Sequence, residues 1–413
     1  MYIHRDITQQ LTQNPVWVQI LIGPRQCGKS TLFTALALKE KHFQEITFDD
    51  LQLRQLANRD PALFLQQFEP PLVLDEIQYV PNLFSEIKKR VDDLKKTALF
   101  QGWDSSSSDG DSSEPKPQVL FRLTGSNQLL MDRNIKESLA GRASFYYLNT
   151  LSVHEILTAL PEIKINDILF KGGWPELYTE QRLSVTSYLN DYIRTYVEKD
   201  IFITAGIHKI TEFHTVLGLL GARTGQLLDF SDIANNSGVS SVTVKEWSNL
   251  LVRTDLIYFL KPYFSNLNKR LIKTPKLYFL DTGLAVRLQG WQEKTPLLNS
   301  PQIGALFETL VLAELVKFIR NYKKDWELFF WRTKEGEEID FILKTNTNNF
   351  HAFEAKLAIQ NVPIMTSYPP AFHKHFSPTT PLAVVTFGGK KLKVSEQCLV
   401  LPIAELHDYL QEL

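Results

Sequence analysis

The chain has 413 residues, a formal charge of −1 at pH 7 and two cysteines, Cys27 and Cys398. This length exceeds what one hydrophobic core usually fills, so we expect roughly two to four domains. The near-neutral charge argues against a uniformly basic surface for nucleic acid, and the widely separated cysteines favour a reducing compartment. A polar N-terminus, with no apolar run of about eighteen residues anywhere, predicts a cytoplasmic protein without a membrane span.

The N-terminal segment, up to about residue 150, alternates short apolar runs with helical patterns. This alternation predicts an α/β fold with a parallel sheet and crossover helices. Between the third and fourth predicted strands, Trp103 to Pro117 is rich in Ser, Asp, Gly and Pro and predicts a surface loop. The predicted strands are Val16 to Ile22, Ile46 to Phe48, Leu72 to Leu74, Val119 to Thr124 and Phe145 to Leu148.

A phosphate-binding pattern, G-x-x-x-x-G-K-[ST], directly follows the first of these strands. Its glycines allow consecutive backbone N–H groups to point inward at a phosphate, and the positive end of the next helix adds to that field. We expect Lys29 to reach the β- and γ-phosphates and Ser30 to bind magnesium. A chance match in a strand-to-helix turn is the alternative. The predicted nucleotide-binding residues are Gly23, Pro24, Arg25, Gln26, Cys27, Gly28, Lys29, Ser30 and Thr31.

Two acids follow the third predicted strand, at the edge where open α/β sheets bind ligands. Asp75 is expected to hold the magnesium shell and Glu76 to polarise the attacking water. The alternative is an acidic pair that only caps the following segment. After the fourth strand, Asn127 could contact the γ-phosphate or the water, although an ordinary turn explains it as well. Arg142, before the fifth strand, could stabilise charge on a nucleotide held by a neighbouring subunit, or be a solvated surface charge.

The middle of the chain has two helical patterns with different breaks. Residues 151–212 predict a helical lid, interrupted by the sequence GGWP at 172–175. Residues 213–292 predict a winged helix-turn-helix with Val239, Val244, Trp247 and Leu251 on its buried face. Its second helix could enter a DNA groove and its wing could contact phosphates, but winged helices also bind proteins. The expected contact residues are Ser240, Ser241, Thr243, Lys245 and Ser248 on the helix and Lys269, Arg270 and Lys273 on the wing.

The last segment, residues 293–413, predicts an α/β domain with a second chemical site. Glu308 lies in a helical pattern, Asp340 lies within a strand, and Glu354 and Lys356 share one face of the next strand. Their types and order are typical of a PD-(D/E)XK nuclease, in which carboxylates hold magnesium and the lysine assists. Cross-strand pairing of acids with lysines is the alternative. The predicted strands are Glu327 to Trp331, Ile339 to Leu343, Phe350 to Ala355 and Ala383 to Thr386.

Five sequence blocks, GPRQCGKST, LVLDEIQ, FRLTGSNQ, SLAGR and GGWPELY, together resemble the prokaryotic AAA-type ATPases of the AAA+ superfamily that carry a C-terminal domain of unknown function. The resemblance implies ATP and Mg²⁺ as ligands, Asp75 and Glu76 as hydrolytic acids, and Asn127 as a sensor. It also implies that Arg142 is an arginine finger and that Pro175 lies on the nucleotide side of the lid. Such ATPases often end in a nuclease-like module.

The sequence therefore predicts a P-loop ATPase core (1–150), a helical lid (151–212), a winged helix (213–292) and a nuclease-like domain (293–413). We expect ATP hydrolysis that moves the winged helix, with DNA, a protein or a second copy of the chain as partner. Two alternatives stay open: a metal-dependent DNA nuclease gated by ATP, and a nucleotide-switched protein-binding module without catalysis.

Overall fold

The computed structural model describes residues 1–14, 16–101, 119–125, 139–180, 182–198, 208–263, 274–333, 335–357, 367–373, 376 and 380–413. The chain divides into two compact units, Arg5–Leu148 and the remainder, which comprises Met1–His4 with Asn149–Leu413. The predicted loop from Trp103 to Pro117 lies outside the described residues.

In the described part of Arg5–Leu148, five parallel strands form one sheet in the order β2-β3-β4-β1-β5. The strands are β1 (Val18–Ile22), β2 (Gln44–Thr47), β3 (Leu72–Asp75), β4 (Phe121–Gly125) and β5 (Ala143–Tyr147). The helices are α1 (Thr8–Gln13), α2 (Lys29–Glu40), α3 (Leu51–Arg59), α4 (Pro61–Gln67) and α5 (Leu83–Gln101), with a 3₁₀ turn at Ile77–Tyr79. The predicted parallel sheet is confirmed.

Both faces of this sheet are covered, which explains why its central strands read as continuous apolar runs. On one face, Leu21 and Val73 pack with residues of α1 and α2. On the other face, Ile20 and Leu74 pack with residues of α3, α4 and α5. Because β4 lies between β1 and β3, the ends of these three strands meet at one edge.

The second unit begins with helices and continues into a sheet. Its helices before the first strand are α6 (Val153–Ala159), α7 (Ile165–Lys171), α8 (Glu176–Thr179), α9 (Val185–Tyr192), a π-helical turn at Ile193–Glu198, and α10 (Ile210–Ala222). Next come β6 (Gln226–Leu227), α11 (Phe230–Ser237), α12 (Ser241–Arg253), β7 (Ile257–Pro262) and β8 (Lys276–Phe279). The predicted succession of two helices and two strands is therefore present.

The C-terminal segment adds helices and the remaining strands of the sheet. Its helices are α13 (Thr282–Leu288), α14 (Lys294–Leu298), α15 (Ile303–Asn321), α16 (Pro370–His373) and α17 (Leu406–Gln411), with a 3₁₀ turn at Ile403–Glu405. Its strands are β9 (Glu327–Arg332), β10 (Glu338–Lys344), β11 (Phe350–Lys356), β12 (Leu382–Thr386), β13 (Leu392–Ser395) and β14 (Cys398–Pro402). The last two strands were not predicted.

The described strands of the second unit form one nine-stranded sheet in the order β13-β14-β12-β11-β10-β9-β7-β8-β6. A parallel pairing of β7 with β9 joins strands β6 to β8 to the C-terminal strands, and in it Lys261 lies opposite Phe329. Helix α15 packs against β8 and β11 of this sheet. The domain boundaries proposed near residues 212 and 292 stay predictions. Among the described residues, no helix combines the length and the apolar character that a bilayer crossing requires.

Candidate functional site

The predicted phosphate loop connects β1 to α2 and curls as its glycines predict. Gly28 is the N-cap of α2 and has a φ of 95°, in the left-handed region that favours glycine. At Gly23, a Cβ atom would lie 2.0 Å from the carbonyl oxygen of Leu148, so this position accommodates only glycine. The loop backbone therefore depends on both glycines of the pattern.

The Lys29 side chain is buried and lies against this loop. Its ammonium donates hydrogen bonds to the carbonyl oxygens of Gly23, at 3.1 Å, and Pro24, at 2.7 Å. Both of these acceptors are neutral, so the positive charge remains inside the loop, next to the N-terminus of α2. The Lys29 ammonium and the N-terminus of α2 together make this glycine-rich turn suited to bind an anion such as a phosphate.

Ser30 and Asp75 lie together at the edge of the sheet. The Ser30 hydroxyl is 3.0 Å from each carboxylate oxygen of Asp75, and its hydrogen can be donated to either. The Thr124 hydroxyl, at the end of β4, donates a hydrogen bond to the same carboxylate. The sequence predicted the pair of Ser30 and Asp75, but the contact of Thr124 with Asp75 was not predicted.

Glu76 has a strained backbone and a held side chain. Its φ of 54° and ψ of 40° place a non-glycine residue in the left-handed region, a conformation that often occurs at functional sites. The buried Gln78 donates its side-chain amide to the Glu76 carboxylate. The sequence analysis missed this contact, although Gln78 belongs to the quoted block LVLDEIQ. Asn127, the predicted sensor, lies outside the described residues.

The other loop residues have different environments. Gln26 and Thr31 are exposed, Arg25 is partly buried, and Cys27 is fully buried with its thiol 3.4 Å from the carbonyl oxygen of Leu148. The buried Arg5 donates a hydrogen bond of 2.7 Å to the backbone carbonyl of Cys27. No sequence signal marks Arg5, because a lone arginine in a polar N-terminal segment matches no pattern.

Arg142 forms a two-pronged ion pair with Asp92 on α5. Its Nε and Nη2 atoms lie 2.6 and 2.8 Å from the two carboxylate oxygens, and Nη1 donates to the carbonyl of Ala140. Hydrogen bonds from Arg142 hold the pKa of the Asp92 carboxyl below its usual value. Arg142 would have to exchange this carboxylate for a phosphate in order to act as an arginine finger.

In the second unit, the sheet and α15 bring together the four predicted residues of the nuclease-like site. The carboxylate of Glu354 accepts a hydrogen bond from the backbone N–H of Asp340, at 3.3 Å, and pairs with Lys356 at 3.1 Å. One oxygen of Asp340 accepts from the N–H of Ala355. Glu308 of α15 is the remaining acid, and burial followed by the charge of Asp340 raises the pKa of its carboxyl.

A residue that the sequence analysis missed, Lys276 of β8, lies among these acids. Its ammonium is 2.9 Å from Glu308, 2.5 Å from Glu338 and 3.9 Å from Asp340. Tyr278, two residues along the same strand, donates its hydroxyl to Glu308. No short sequence pattern links Lys276 to these acids, because they lie on other elements of the fold.

Burial and charge shift the protonation of this cluster. Burial, followed by the charge of Asp340, raises the pKa of the Glu308 carboxyl to about 7. The same two causes raise the pKa of Glu354 well above its usual value. Burial alone would lower the pKa of Lys276, but the surrounding carboxylates raise it above its usual value, so the lysine stays charged.

Three segments of the chain match known protein families. Residues 17–157 match the family described as AAA domain, residues 162–295 match a domain of unknown function (DUF8612), and residues 303–406 match a domain of unknown function (DUF4143). The N-terminal segment is an AAA domain with a P-loop, and the C-terminal segment is a DUF4143 domain. The loop, Asp75 and Glu76 lie in the AAA segment. Glu308, Glu338, Asp340 and Glu354 lie in the DUF4143 segment, whereas Lys276 lies in the DUF8612 segment.

Sequence similarity to two known proteins covers most of the chain. Uncharacterized proteins of Mycobacterium tuberculosis and Mycobacterium bovis are each 28% identical over 343 residues, which cover 82% of this chain and 70% of theirs. A Walker-type ATPase of Pyrococcus abyssi aligns with a TM-score of 0.40 and 16% identity, over 70% of this chain and 96% of its own. The ORC2 protein of Aeropyrum pernix, in its ADPNP–ADP complexes, aligns with a TM-score of 0.30 and 12% identity, over 61% and 84%. The AAA domain of residues 17–157 is identified by the family match.

The donor atoms of the AAA domain fit a magnesium ion, whereas those of the DUF4143 domain do not. Ser30 and Asp75 offer hard oxygen ligands that lie 3.0 Å apart, next to the phosphate loop whose backbone requires glycine at Gly23. In the second unit, Lys276 lies between the acids Glu308, Glu338 and Asp340. Within the described ranges, no three of its carboxylates bring one oxygen each to within 4.8 Å of one another.

Helix α12 has one buried face and one exposed face. Val244, Trp247 and Leu251 are buried, as the sequence predicted, and Ser240, Ser241 and Lys245 are exposed. The expectation for Ser248 was wrong: its side chain is fully buried, and its hydroxyl donates a hydrogen bond of 2.7 Å to the carbonyl of Val244. Ser248 follows Val244 by one helical turn and therefore shares its face. Thr243 is partly exposed, and the wing residues Lys269, Arg270 and Lys273 lie outside the described residues.

Proposed function

We propose that this protein binds ATP with Mg²⁺ and hydrolyses it. The observation that carries the proposal is the contact between Ser30 and the Asp75 carboxylate, at the edge of the sheet where the phosphate loop lies. It brings the two expected magnesium ligands together from different elements, which a chance match to the loop pattern does not explain. The fold of the AAA domain supports the same conclusion.

Each residue of this site has a chemical role in the proposal. Lys29 would release the carbonyls of Gly23 and Pro24 and bind the β- and γ-phosphates, together with the backbone N–H groups of the loop. Ser30 and Asp75 would hold Mg²⁺, which neutralises charge on the phosphates during transfer. Glu76, held by Gln78, would accept the proton of the attacking water.

Turnover is proposed to move the helical segment and the predicted winged helix, with DNA as one possible partner. Support for DNA comes from α12, whose Ser241 and Lys245 are exposed while its apolar face is buried. Exposed serine and lysine side chains are suited to phosphate and base-edge contacts. A nucleotide-switched module that binds a protein without catalysis is the alternative, because α12 has little net charge.

ATP hydrolysis by the full chain, with and without duplex DNA, tests this proposal. We expect Mg²⁺-dependent phosphate release that duplex DNA accelerates, with the oligomeric mass recorded in the same samples. Acceleration that disappears in the variant Lys245→Ala, but not in a control such as Lys39→Ala, would support α12 as the DNA-contacting element. Turnover that is indifferent to DNA favours a protein partner, and binding without turnover favours the switch.

A mixing experiment tests the proposed role of Arg142. The variant Arg142→Ala keeps Glu76 but lacks the proposed arginine finger. The variant Glu76→Gln keeps Arg142 but lacks the proposed base. We expect each variant alone to be nearly inactive, and a mixture of the two to regain part of the activity. In mixed oligomers some sites combine an intact Glu76 with an Arg142 from the neighbour.

The same experiment separates this role from a structural one. If Arg142 only stabilises its own domain through Asp92, the mixture stays as inactive as its components, and the variant Asp92→Ala loses the same amount of stability. Thermal unfolding of all three variants provides that comparison.

A further inference from the structure

The Lys276 side chain is enclosed by acids from two elements of the second unit, α15 and β10. Only 6% of this side chain is exposed, yet its charge is retained. Glu308 approaches from α15, Glu338 and Asp340 from β10, and the ring centre of Phe330 on β9 lies 5.6 Å from the ammonium. The Lys276 ammonium is thus a counter-ion shared by carboxylates of α15 and β10.

A divalent cation would need a different arrangement of the same acids. Magnesium and manganese take oxygen ligands at roughly 2.0–2.2 Å, so three carboxylates around one ion must converge closely. Among the described residues these carboxylates do not converge in that way. Glu354 is drawn toward Lys356 instead, and one Asp340 oxygen is occupied by the N–H of Ala355.

We propose that the Lys276 ammonium takes the place of a divalent cation among Glu308, Glu338 and Asp340, and so keeps this cluster free of metal. A metal could enter only by displacing the ammonium, which would then be buried without the acceptors that it has now. Lys276 belongs to β8, which pairs with β7. Whether these acids can bind a metal therefore depends on the position of β8. The lysine replaces the metal that the nuclease-like arrangement implies.

Manganese binding by the full chain without nucleotide tests the proposal, with Mn²⁺ alone as the probe and titration calorimetry as the measurement. Lys276→Met removes the charge with little change in volume. We expect this variant to bind one more Mn²⁺ per chain than the unmodified protein, and the added site to vanish in Lys276→Met combined with Asp340→Asn. Lys344→Met, which removes a partly exposed lysine from β10, is the matched control and should gain no site.

The unmodified protein gives an independent test that does not require Lys276→Met to fold. We expect it to bind the same number of Mn²⁺ ions as the Asp340→Asn variant, whose new amide oxygen can still accept from the N–H of Ala355. A manganese site in the unmodified protein that Asp340→Asn removes overturns the proposal. A folded Lys276→Met variant that gains no manganese site overturns it as well.

Discussion

Replacing Glu76 with glutamine is expected to lower the rate of ATP hydrolysis by about 10²- to 10⁴-fold, the range of a lost general base. Glutamine keeps the size of the side chain and can still accept a hydrogen bond from Gln78, but it cannot take a proton from water. ATP affinity should stay nearly unchanged, because Lys29 and Ser30 are intact. Steady-state phosphate release and equilibrium binding of a fluorescent ATP analogue measure the two quantities separately.

The control for this variant is Glu69→Gln, which changes an exposed acid in the same domain. It should hydrolyse ATP at the unmodified rate. If Glu76→Gln retains full turnover, then Glu76 is not the base and its left-handed backbone has another cause. If the unmodified protein binds ATP but shows no turnover, the nucleotide-switched module becomes the better description.

Replacing Lys29 with alanine is expected to weaken ATP binding by about a hundredfold or more. A charge-assisted hydrogen bond to a phosphate contributes about 1.5–3 kcal/mol, and loss of about 1.4 kcal/mol corresponds to a tenfold change in affinity. Two such bonds, to the β- and γ-phosphates, give the expected loss. Calorimetric titration with ATP and Mg²⁺ measures it directly.

Two comparisons accompany this variant. Lys39→Ala removes an exposed lysine from the other end of α2 and should leave ATP affinity intact. Because Lys29 also binds the carbonyls of Gly23 and Pro24, thermal unfolding should show whether the loop loses stability. ATP affinity that survives the loss of Lys29 in a folded protein would contradict the assignment of this loop.

Together the two variants separate binding from turnover. Loss of an interaction present in both the bound and the transition state lowers affinity, whereas loss of a group that acts only in the transition state lowers the rate alone. We expect Lys29→Ala to be of the first kind and Glu76→Gln of the second. Equal losses of binding in both would mean that the Glu76 variant has disturbed the loop.

The sequence alone determined the features that consecutive residues encode. Gly23, Gly28, Lys29 and Ser30 could be predicted because a phosphate loop is built from neighbouring backbone amides, which a short pattern fully specifies. The parallel sheet could be predicted because strands buried on both faces are continuous apolar runs. Asp75 could be placed near Ser30 because parallel strands end at the same edge of a sheet.

Only the tertiary structure decided which distant side chains meet. Arg142 pairs with Asp92, Thr124 donates to Asp75, and Lys276 lies among acids of α15 and β10. These contacts depend on strand order and helix packing, because residues far apart in sequence become neighbours only once the register of whole elements is set. Charge pairing between such residues leaves no periodic pattern. The sequence alone therefore predicted a metal site for Glu308, Asp340 and Glu354, whereas in the structure Lys276 lies beside Glu308 and Asp340, and Lys356 pairs with Glu354.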